Sequence, residues 1–248
     1  MTDLTGKVAL ITGSARGLGR AIAERYAALG AHIVVNYAER EQAAGELVAH
    51  VEGQGRKAIA VRADVSKVAE IDRLFDAAMQ RFGGLDIVVA NAGIELVGRA
   101  ATGFDEADFD RLFSVNTKGA IFTMQRAARD IADDGRIILV GSSTTAFPMA
   151  GHALYGSSKM APRFFVEVLA KEIGQRGVTV NSILPSATEG AGVSTDGPRP
   201  EVQRLIDANP MRRMGMLKDT ADAAEYLASD LAGYVSGQHL LLSGGAPA

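Results

Sequence analysis

Short apolar runs alternate with amphipathic stretches along most of this 248-residue chain. Residues 7–12 (KVALIT) form a continuous apolar run that ends at a glycine, and residues 18–29 (LGRAIAERYAAL) follow with apolar residues at helical spacing. A continuous apolar run is typical of a strand that is buried on both faces of a sheet. Strands that alternate with helices predict right-handed crossovers and a parallel sheet covered on both faces. The alternation therefore predicts an α/β protein.

The same alternation continues to residue 243. Further strands are predicted at residues 32–36, 57–62, 85–90, 136–141, 178–184 and 239–243, and helices at residues 40–51, 68–82, 105–131 and in the stretch that carries Tyr155. This pattern is typical of a doubly wound, three-layer Rossmann-type sandwich with about seven strands. No linker divides the chain, so residues 1–248 are predicted to form a single domain. Residues 186–216, with a short helical patch at 200–208, are rich in Gly, Pro, Ser, Thr and Met and are predicted to form a lid over the substrate.

The composition excludes several other classes of protein. The net charge is −3 with both signs interspersed, and the absence of a basic tract argues against nucleic acid or an anionic membrane as the main partner. A chain without cysteine has no disulfide or thiolate nucleophile, which fits a reducing compartment. The four histidines are far apart in sequence, so no metal site is expected. Without a signal-like or membrane-spanning apolar run, we expect a soluble, cytoplasmic protein.

A glycine-rich turn joins the first predicted strand to the first predicted helix. Residues 12–19 read TGSARGLG, with the glycines spaced G-x-x-x-G-x-G. Glycine permits a tight turn and close approach of a pyrophosphate, and the helix N-terminus that follows favours an anion. Glycines are common in such turns for local reasons, but their position at the first strand-to-helix junction indicates a dinucleotide site.

Tyr155 and Lys159 lie four residues apart and so share one face of a helix. Such a pair is common on helix surfaces and by itself is no evidence of catalysis. Pro162 follows within the same predicted helix, where it removes a backbone donor and is expected to bend the helix.

Together these features resemble the short-chain dehydrogenase/reductase family. Its T-G-x-x-x-G-x-G signature is matched by Thr12, Gly13, Gly17 and Gly19. Further family motifs are matched in register by Asp64 in RADV, by residues 90–93 (ANAG), by Asn116 in SVNTKG, by Ser142 thirteen residues before the tyrosine, and by Tyr155 and Lys159 as Y-x-x-x-K. Much of the chain also resembles the carrier-protein-linked 3-oxoacyl reductases of this family.

The resemblance implies hydride transfer between a nicotinamide cofactor and a carbonyl compound or secondary alcohol. Tyr155 would be the general acid and base, and Ser142 would orient the substrate oxygen. Lys159 would hold the ribose hydroxyls and, with the oxidised nicotinamide, lower the phenol pKa by roughly three units from about 10. Asn116 would support a water that links the lysine to solvent.

Cofactor contacts follow from the same resemblance. The predicted cofactor-binding residues are Gly13, Ser14, Arg16, Gly17, Leu18, Gly19, Asn36, Tyr37, Asp64, Val65, Asn91, Ala92, Gly93, Tyr155, Lys159, Pro185 and Thr188. NAD-dependent proteins of this fold usually carry an acid near the end of the second strand. Asn36 and Tyr37 stand there instead, and Arg16 offers a guanidinium for a 2′-phosphate. NADP is therefore predicted, with NAD the less favoured cofactor.

The segment after the sixth strand departs from the family pattern. Pro185 is followed by Ser186 instead of glycine, and Gly190 stands where the family carries threonine. Contact of the cofactor carboxamide is therefore predicted at the backbone of Thr188.

Substrate and assembly stay open at this stage. A freestanding carbonyl compound is at least as well supported as an acyl-carrier thioester, because acidic Asp133 and Asp134 precede the fifth strand. A non-catalytic, cofactor-binding regulator is the alternative of another class, although such proteins are expected to lose the tyrosine or the lysine. Apolar residues at 164–169 exceed one buried helix stripe and predict a homo-oligomer, either a tetramer or a dimer.

Overall fold

One parallel sheet forms the centre of the computed structural model, which describes residues 2–192, 203 and 206–246. Its seven strands lie in the order β3-β2-β1-β4-β5-β6-β7. The strands are β1 (Val8–Ile11), β2 (His32–Tyr37), β3 (Ala58–Arg62), β4 (Leu85–Ala90), β5 (Ile131–Val140), β6 (Thr179–Pro185) and β7 (His239–Leu242). All six neighbouring pairs are parallel. The doubly wound α/β prediction is confirmed.

Helices cover both faces of the sheet. They are α1 (Gly17–Ala28), α2 (Glu41–Gly53), α3 (Val68–Phe82), α4 (Glu106–Phe113), α5 (Ala120–Asp130), α6 (Ala153–Ile173) and α7 (Leu217–Ala228). A separate apolar core fills each face, one around Tyr26 of α1 and the other around Phe75 of α3. The strand order reverses between β1 and β4, and a crevice at the carboxyl ends of these strands is where such sheets bind ligands.

The structure corrects two details of the predicted elements and describes part of a third. The single helix predicted at 105–131 is divided by a π-helical turn, Ser114–Gly119, between α4 and α5. Strand β5 begins at Ile131, five residues before the predicted start. In the predicted patch at 200–208, residue 203 and residues 206–208 are helical, whereas 200–202 and 204–205 lie outside the described residues.

Helix α7 was not predicted from the sequence at all. Its buried face consists mainly of alanines, which give only a weak apolar stripe. These small residues allow close packing on α1, where the Tyr26 hydroxyl donates to the Ala224 carbonyl at 2.8 Å. An ion pair of 2.6 Å between Arg25 and Glu225 joins the same two helices.

Helix α6 continues through Pro162 because a neighbouring element replaces the missing hydrogen bond. Proline has no N–H, so the carbonyl of Ser158, four residues earlier, lacks its usual helical donor. The Thr117 hydroxyl from the π-helical turn donates to this carbonyl at 2.8 Å. The proline thereby ties the helix that carries Tyr155 and Lys159 to the π-helical turn.

We predict that Thr117→Val lowers the free energy of unfolding by about 1–2 kcal/mol, because it leaves the Ser158 carbonyl without a donor. In a Pro162→Ala background, the restored N–H at position 162 satisfies this carbonyl and the same substitution should cost less than about 0.5 kcal/mol. Urea unfolding of the four proteins of this double-mutant cycle measures the difference. Thr117→Ser, which keeps the hydroxyl, is the control, and equal costs in both backgrounds would contradict the compensation.

Candidate active site

Hydrogen bonds from Thr12 and Asn91 join the carboxyl ends of β1 and β4. The Thr12 hydroxyl accepts from the backbone N–H of Asn91 at 2.9 Å and of Ala92 at 3.0 Å. In return, Asn91 Nδ2 donates to the Thr12 carbonyl at 2.8 Å and to the Gly13 carbonyl at 3.2 Å. The glycine turn and the segment after β4 are thus held in one fixed arrangement at the crevice.

The glycine turn has the backbone shape that a pyrophosphate site requires. Gly13 and Gly17 have φ values of +63° and +57°, which side chains disfavour. A Cβ at Gly19 would lie 2.5 Å from Asn91 Nδ2. Arg16 is exposed at the N-cap of α1 and makes no side-chain capping bond. The N–H groups of the first helical turn, which starts with Gly17, Leu18 and Gly19, therefore fit an incoming phosphate.

Ser14 and Asn36 lie behind the glycine turn, not on its ligand side. The Asn36 amide accepts from the Gly13 N–H at 2.9 Å and donates to the Ala63 carbonyl at 2.9 Å. The Ser14 hydroxyl accepts from the Asn36 N–H at 3.2 Å, and its side chain is fully buried. The Ser14 side chain has no exposed face in this arrangement, and its place among the cofactor-binding residues stays a prediction. Both residues instead fix the shape of the turn.

Arg62 is a second cation near the end of β2, in addition to the predicted Arg16. Arg62, the last residue of β3, pairs in register with Tyr37. Its Nε donates to the Ala38 carbonyl at 3.1 Å, which holds the exposed guanidinium beside the end of β2. Strand pairing could have indicated the place of Arg62, because the final residues of adjacent parallel strands lie side by side. Glu39 is exposed in the same turn and partly offsets this charge.

Asp64 follows β3 and is held in its charged form. Burial opposes that charge, but hydrogen bonds from Ser66 and the nearby Lys67 ammonium hold the pKa of Asp64 below its usual value. The Ser66 N–H donates to Asp64 Oδ1 at 3.0 Å, and the Asp64 side chain is 39% exposed. Val65 beside it is buried. Asp64 thus presents a carboxylate at the same edge of the sheet as the glycine turn.

The predicted catalytic residues meet at this edge beside Gly93. Lys159 is buried, and its ammonium donates to the Val140 carbonyl at the end of β5 at 3.3 Å. A Cβ at Gly93 would lie 2.9 Å from Lys159 Nζ and 3.2 Å from Asn116 Oδ1, so both groups face the glycine. Ser142 lies two residues beyond the same strand; its hydroxyl accepts from the Thr144 hydroxyl at 2.9 Å and lowers the pKa of Tyr155. Asn116, Ser142, Tyr155 and Lys159 are therefore brought together.

Both the oxygen and the nitrogen of the Asn116 side-chain amide are hydrogen-bonded. Its Oδ1 accepts from the Ile94 N–H at 2.9 Å, and its Nδ2 donates to the Ile94 carbonyl at 2.9 Å and to the Ser158 hydroxyl at 3.0 Å. Ser158 in turn donates to the Tyr155 carbonyl at 2.7 Å. Ser158 is not among the predicted site residues, although its position between Tyr155 and Lys159 in the sequence indicates a place at the site. The amide thus positions the catalytic helix and the segment after β4.

Burial dominates the ionisation of the catalytic pair. It raises the pKa of Tyr155, and the carboxylate of Glu95 raises this pKa further, whereas the Ser142 hydroxyl lowers it. Burial lowers the pKa of Lys159 to about 8, although the Glu95 carboxylate opposes that shift. In the protein alone, the pKa of Tyr155 is thus raised, whereas the sequence predicted that it is lowered. Desolvation of the phenolate outweighs the favourable effect of the Ser142 hydroxyl on this pKa.

The start of the predicted lid packs on its own backbone. Pro185 ends β6, and the Thr188 hydroxyl donates to the Ser186 carbonyl at 2.8 Å. The Thr188 side chain is buried and its hydroxyl is already hydrogen-bonded, so a cofactor carboxamide at this position would contact the backbone of Thr188. Residues 193–202 and 204–205 of the lid lie outside the described residues.

Comparison with known proteins identifies the family of the chain. The protein-family model described as Enoyl-(Acyl carrier protein) reductase matches residues 13–247. The short chain dehydrogenase/reductase AacuN of Aspergillus aculeatus is 40% identical over an aligned length of 258 residues. The alignment covers 98% of this chain and 96% of AacuN. The chain belongs to the short-chain dehydrogenase/reductase family.

Solved structures of this family superpose closely. A short chain dehydrogenase from Burkholderia cenocepacia in complex with NADP is 35% identical, with a TM-score of 0.93 and 99% of each chain covered. LugOII, described as a promiscuous reductase that catalyses keto-reduction at C1 during lugdunomycin biosynthesis, is 36% identical, with a TM-score of 0.91 and 99% of each chain covered.

Membrane-spanning helices and metal-binding clusters are absent from the described ranges. No helix there is long and apolar enough to cross a membrane. No group of three or more histidine and acidic side chains in those ranges is arranged to hold a metal ion.

The buried ammonium of Lys159 predicts a distinct dependence of stability on pH. Its pKa is lowered from 10.5 to about 8, so the folded protein bears the cost of a buried cation below about pH 8. We expect cofactor-free Lys159→Met to gain stability relative to the wild type at neutral pH. As pH rises from about 8 to about 10.5 the folded state releases its proton first, and the wild type should recover about 3 kcal/mol relative to the variant.

Urea unfolding of both proteins between pH 7 and pH 11 measures this difference, and titrations elsewhere in the chain cancel. A difference in stability that stays constant across this range would contradict the lowered pKa.

Proposed function

We propose that the protein is an NADP(H)-dependent oxidoreductase that transfers a hydride between the nicotinamide and a carbonyl compound or secondary alcohol. The observation that carries the proposal is the convergence of Ser142, Tyr155 and Lys159 at the sheet edge that also holds the glycine turn. Keto-reduction by the structural neighbour LugOII supports a ketone as the substrate class.

The side chains divide the chemistry between them. In the reductive direction, a nicotinamide cofactor held at this edge would supply the hydride for the carbonyl carbon. Tyr155 donates its phenolic proton to the carbonyl oxygen, which gives the secondary alcohol. Ser142 hydrogen-bonds the substrate oxygen and orients it, and Lys159 holds the ribose hydroxyls. Because burial disfavours the phenolate, a positive charge near the phenol, from Lys159 or from an oxidised nicotinamide, would be needed to stabilise it after proton transfer.

The preference for NADP rests on cations near the end of β2. Arg16 is exposed at the start of α1, and Arg62 is held at the Ala38 carbonyl. Each guanidinium can give a phosphate two parallel, charge-assisted hydrogen bonds. The complex of the Burkholderia cenocepacia protein with NADP is consistent with this choice.

We predict that Tyr155→Phe lowers kcat for ketone reduction by about a thousandfold, because no other group replaces the phenolic proton. NADPH affinity should change by less than about threefold, since the ring stays in place. Reduction of a ketone panel is followed by nicotinamide absorbance, and NADPH binding by fluorescence. Tyr234→Phe is the matched control, because Tyr234 is fully exposed. Retained activity in Tyr155→Phe would overturn the mechanism.

We predict a clear preference for NADPH over NADH in kcat/KM. Arg16→Ala should lower kcat/KM with NADPH by about tenfold or more through loss of a charged hydrogen bond, and with NADH by less than about threefold. Tyr37→Asp should shift the preference toward NADH, because a carboxylate repels the 2′-phosphate and accepts from the ribose hydroxyl. A wild-type kcat/KM with NADH equal to or above that with NADPH would refute the assignment.

An acyl-carrier thioester is a second candidate substrate, favoured by the description of the matching family model. Against it, Asp133 and Asp134 precede the main part of β5, and Asp133 pairs with Arg176 at 2.8 Å, which neutralises a cation that a carrier would need. Turnover of an acyl-carrier thioester much faster than of small ketones would favour this candidate. A non-catalytic regulator is disfavoured, because Tyr155 and Lys159 are both present.

The proposal includes a homo-oligomer, either a dimer or a tetramer. Phe164 and Met160 on α6 are 65% and 47% exposed, and Phe109 on α4 is 42% exposed. Large apolar side chains of this kind are typical of a protein interface. The single domain with residues 186–216 as a substrate lid and a cytoplasmic location stay predictions of the sequence.

A further inference from the structure

The hydroxyl of Ser142 receives two hydrogen bonds from one neighbour, Thr144. The Thr144 hydroxyl donates to Ser142 Oγ at 2.9 Å, and the Thr144 backbone N–H donates to the same oxygen at 3.3 Å. A serine hydroxyl has two acceptor lone pairs and a single proton. Because Thr144 engages both lone pairs, the remaining role of the Ser142 hydroxyl is to donate its proton.

The backbone of Ser142 is held by the short helical turn that follows it, Ser143–Thr145. The Ser142 carbonyl accepts from the Thr145 hydroxyl at 2.8 Å and from the Thr145 N–H at 3.1 Å. Arg163 of α6 donates to the Thr145 carbonyl, which ties the turn to the catalytic helix. The turn thus fixes the position of Ser142, and Thr144 fixes the direction of its O–H bond.

Thr144 lies against the catalytic helix beside the reacting phenol. A Cβ at Gly156, the residue after Tyr155, would lie 3.7 Å from the Thr144 carbonyl oxygen and 3.8 Å from the Thr144 hydroxyl oxygen. The Ser142 hydroxyl lowers the pKa of Tyr155, which is the effect of a donor directed at the phenolate oxygen. The proton of Ser142 is therefore directed toward the place where the reacting oxygen atoms would meet.

We propose that Thr144 is a positioning residue that holds the Ser142 hydroxyl as a hydrogen-bond donor to the substrate oxygen. The inference rests on the proposed ketone reduction and adds to it a residue outside the motifs matched in the sequence. In the reductive direction, negative charge develops on the carbonyl oxygen, and a donor that is oriented beforehand stabilises this charge without reorganisation. The bond from the Thr144 hydroxyl also polarises the Ser142 hydroxyl, since hydrogen bonds in a chain strengthen one another.

Thr144→Val tests the role of the hydroxyl, because valine has nearly the shape of threonine and keeps the backbone N–H. We expect kcat for ketone reduction to fall by about tenfold and KM for the ketone to change by less than about threefold, since the lost stabilisation belongs to the transition state. Thr144→Ser keeps the hydroxyl, and its kcat should stay within about threefold of the wild type. Thr5→Val is the matched control, because Thr5 is exposed and precedes the amino end of β1, at the opposite edge of the sheet.

A double-mutant cycle shows whether Thr144 acts through Ser142. Ser142→Ala should lower kcat by about a hundredfold or more, because it removes the donor. Adding Thr144→Val to Ser142→Ala should lower kcat by less than about a further twofold, because the acceptor of the Thr144 hydroxyl is already gone. Single-turnover oxidation of NADPH, with enzyme in excess over NADPH, measures these low rates. Equal fold losses in the two backgrounds would show a general structural role and overturn the proposal, as would full activity of Thr144→Val.

Ionisation of Tyr155 gives a second readout that requires no turnover. Site-specific replacement of Tyr155 by 3,5-difluorotyrosine lowers the intrinsic pKa of the phenol and makes its titration accessible to absorbance measurements. In the cofactor-free protein, Thr144→Val should raise the midpoint of this titration by about half a pH unit or more, because Ser142 then donates less strongly to the phenolate. Thr144→Ser should leave the midpoint unchanged.

The two readouts separate failure of this inference from failure of the proposed function. A midpoint that is the same in Thr144→Val and in the wild type would overturn the role of Thr144, whatever the activity. A wild type that reduces no ketone in a wide panel would instead refute the proposed function, and the titration would still decide whether Thr144 directs the Ser142 hydroxyl.

Discussion

The side-chain amide of Asn116 is the interaction on which the candidate site depends. Its three hydrogen bonds join the π-helical turn to Ile94 after β4 and to Ser158 on the catalytic helix. The Asn116 amide is buried, and breaking the hydrogen bonds of a buried amide is costly. Its partners are therefore held in one arrangement. The π-helical geometry and Pro162 strengthen this junction, because Thr117 satisfies the carbonyl that the proline leaves open.

Burial gives the catalytic pair its chemical character. An apolar setting opposes both the phenolate of Tyr155 and the ammonium of Lys159, so the pKa of Tyr155 rises and the pKa of Lys159 falls to about 8. The chain by itself therefore holds the phenol as a proton donor. Under the proposed function, a positive charge from Lys159 or from the cofactor would favour the phenolate, so proton transfer would depend on these neighbours.

Polar residues at the cofactor edge fall into two layers. Ser14, Asn36 and Asn91 turn their side chains inward and hold the glycine turn against the ends of β1 and β4. The backbone N–H groups of the first turn of α1, together with the guanidinium of Arg16, remain for a phosphate. Inner side chains thus hold the turn rigid, and the backbone and the outer cations are the groups to which the proposed function assigns phosphate recognition.

The sequence alone determined the α/β class, the seven strands and the positions of the glycine turn and the catalytic pair, because buried strands and motif spacing are local signals. It predicted neither α7, whose alanine face is a weak signal, nor the π-helical turn, which forms only where Asn116 and Thr117 meet Ser158. Only the tertiary structure decided that Ser14 is buried and that Arg62 lies beside the end of β2, since both follow from strand pairing. It also decided the ionisation of Tyr155, because desolvation and the charge of Glu95 depend on packing between segments distant in sequence.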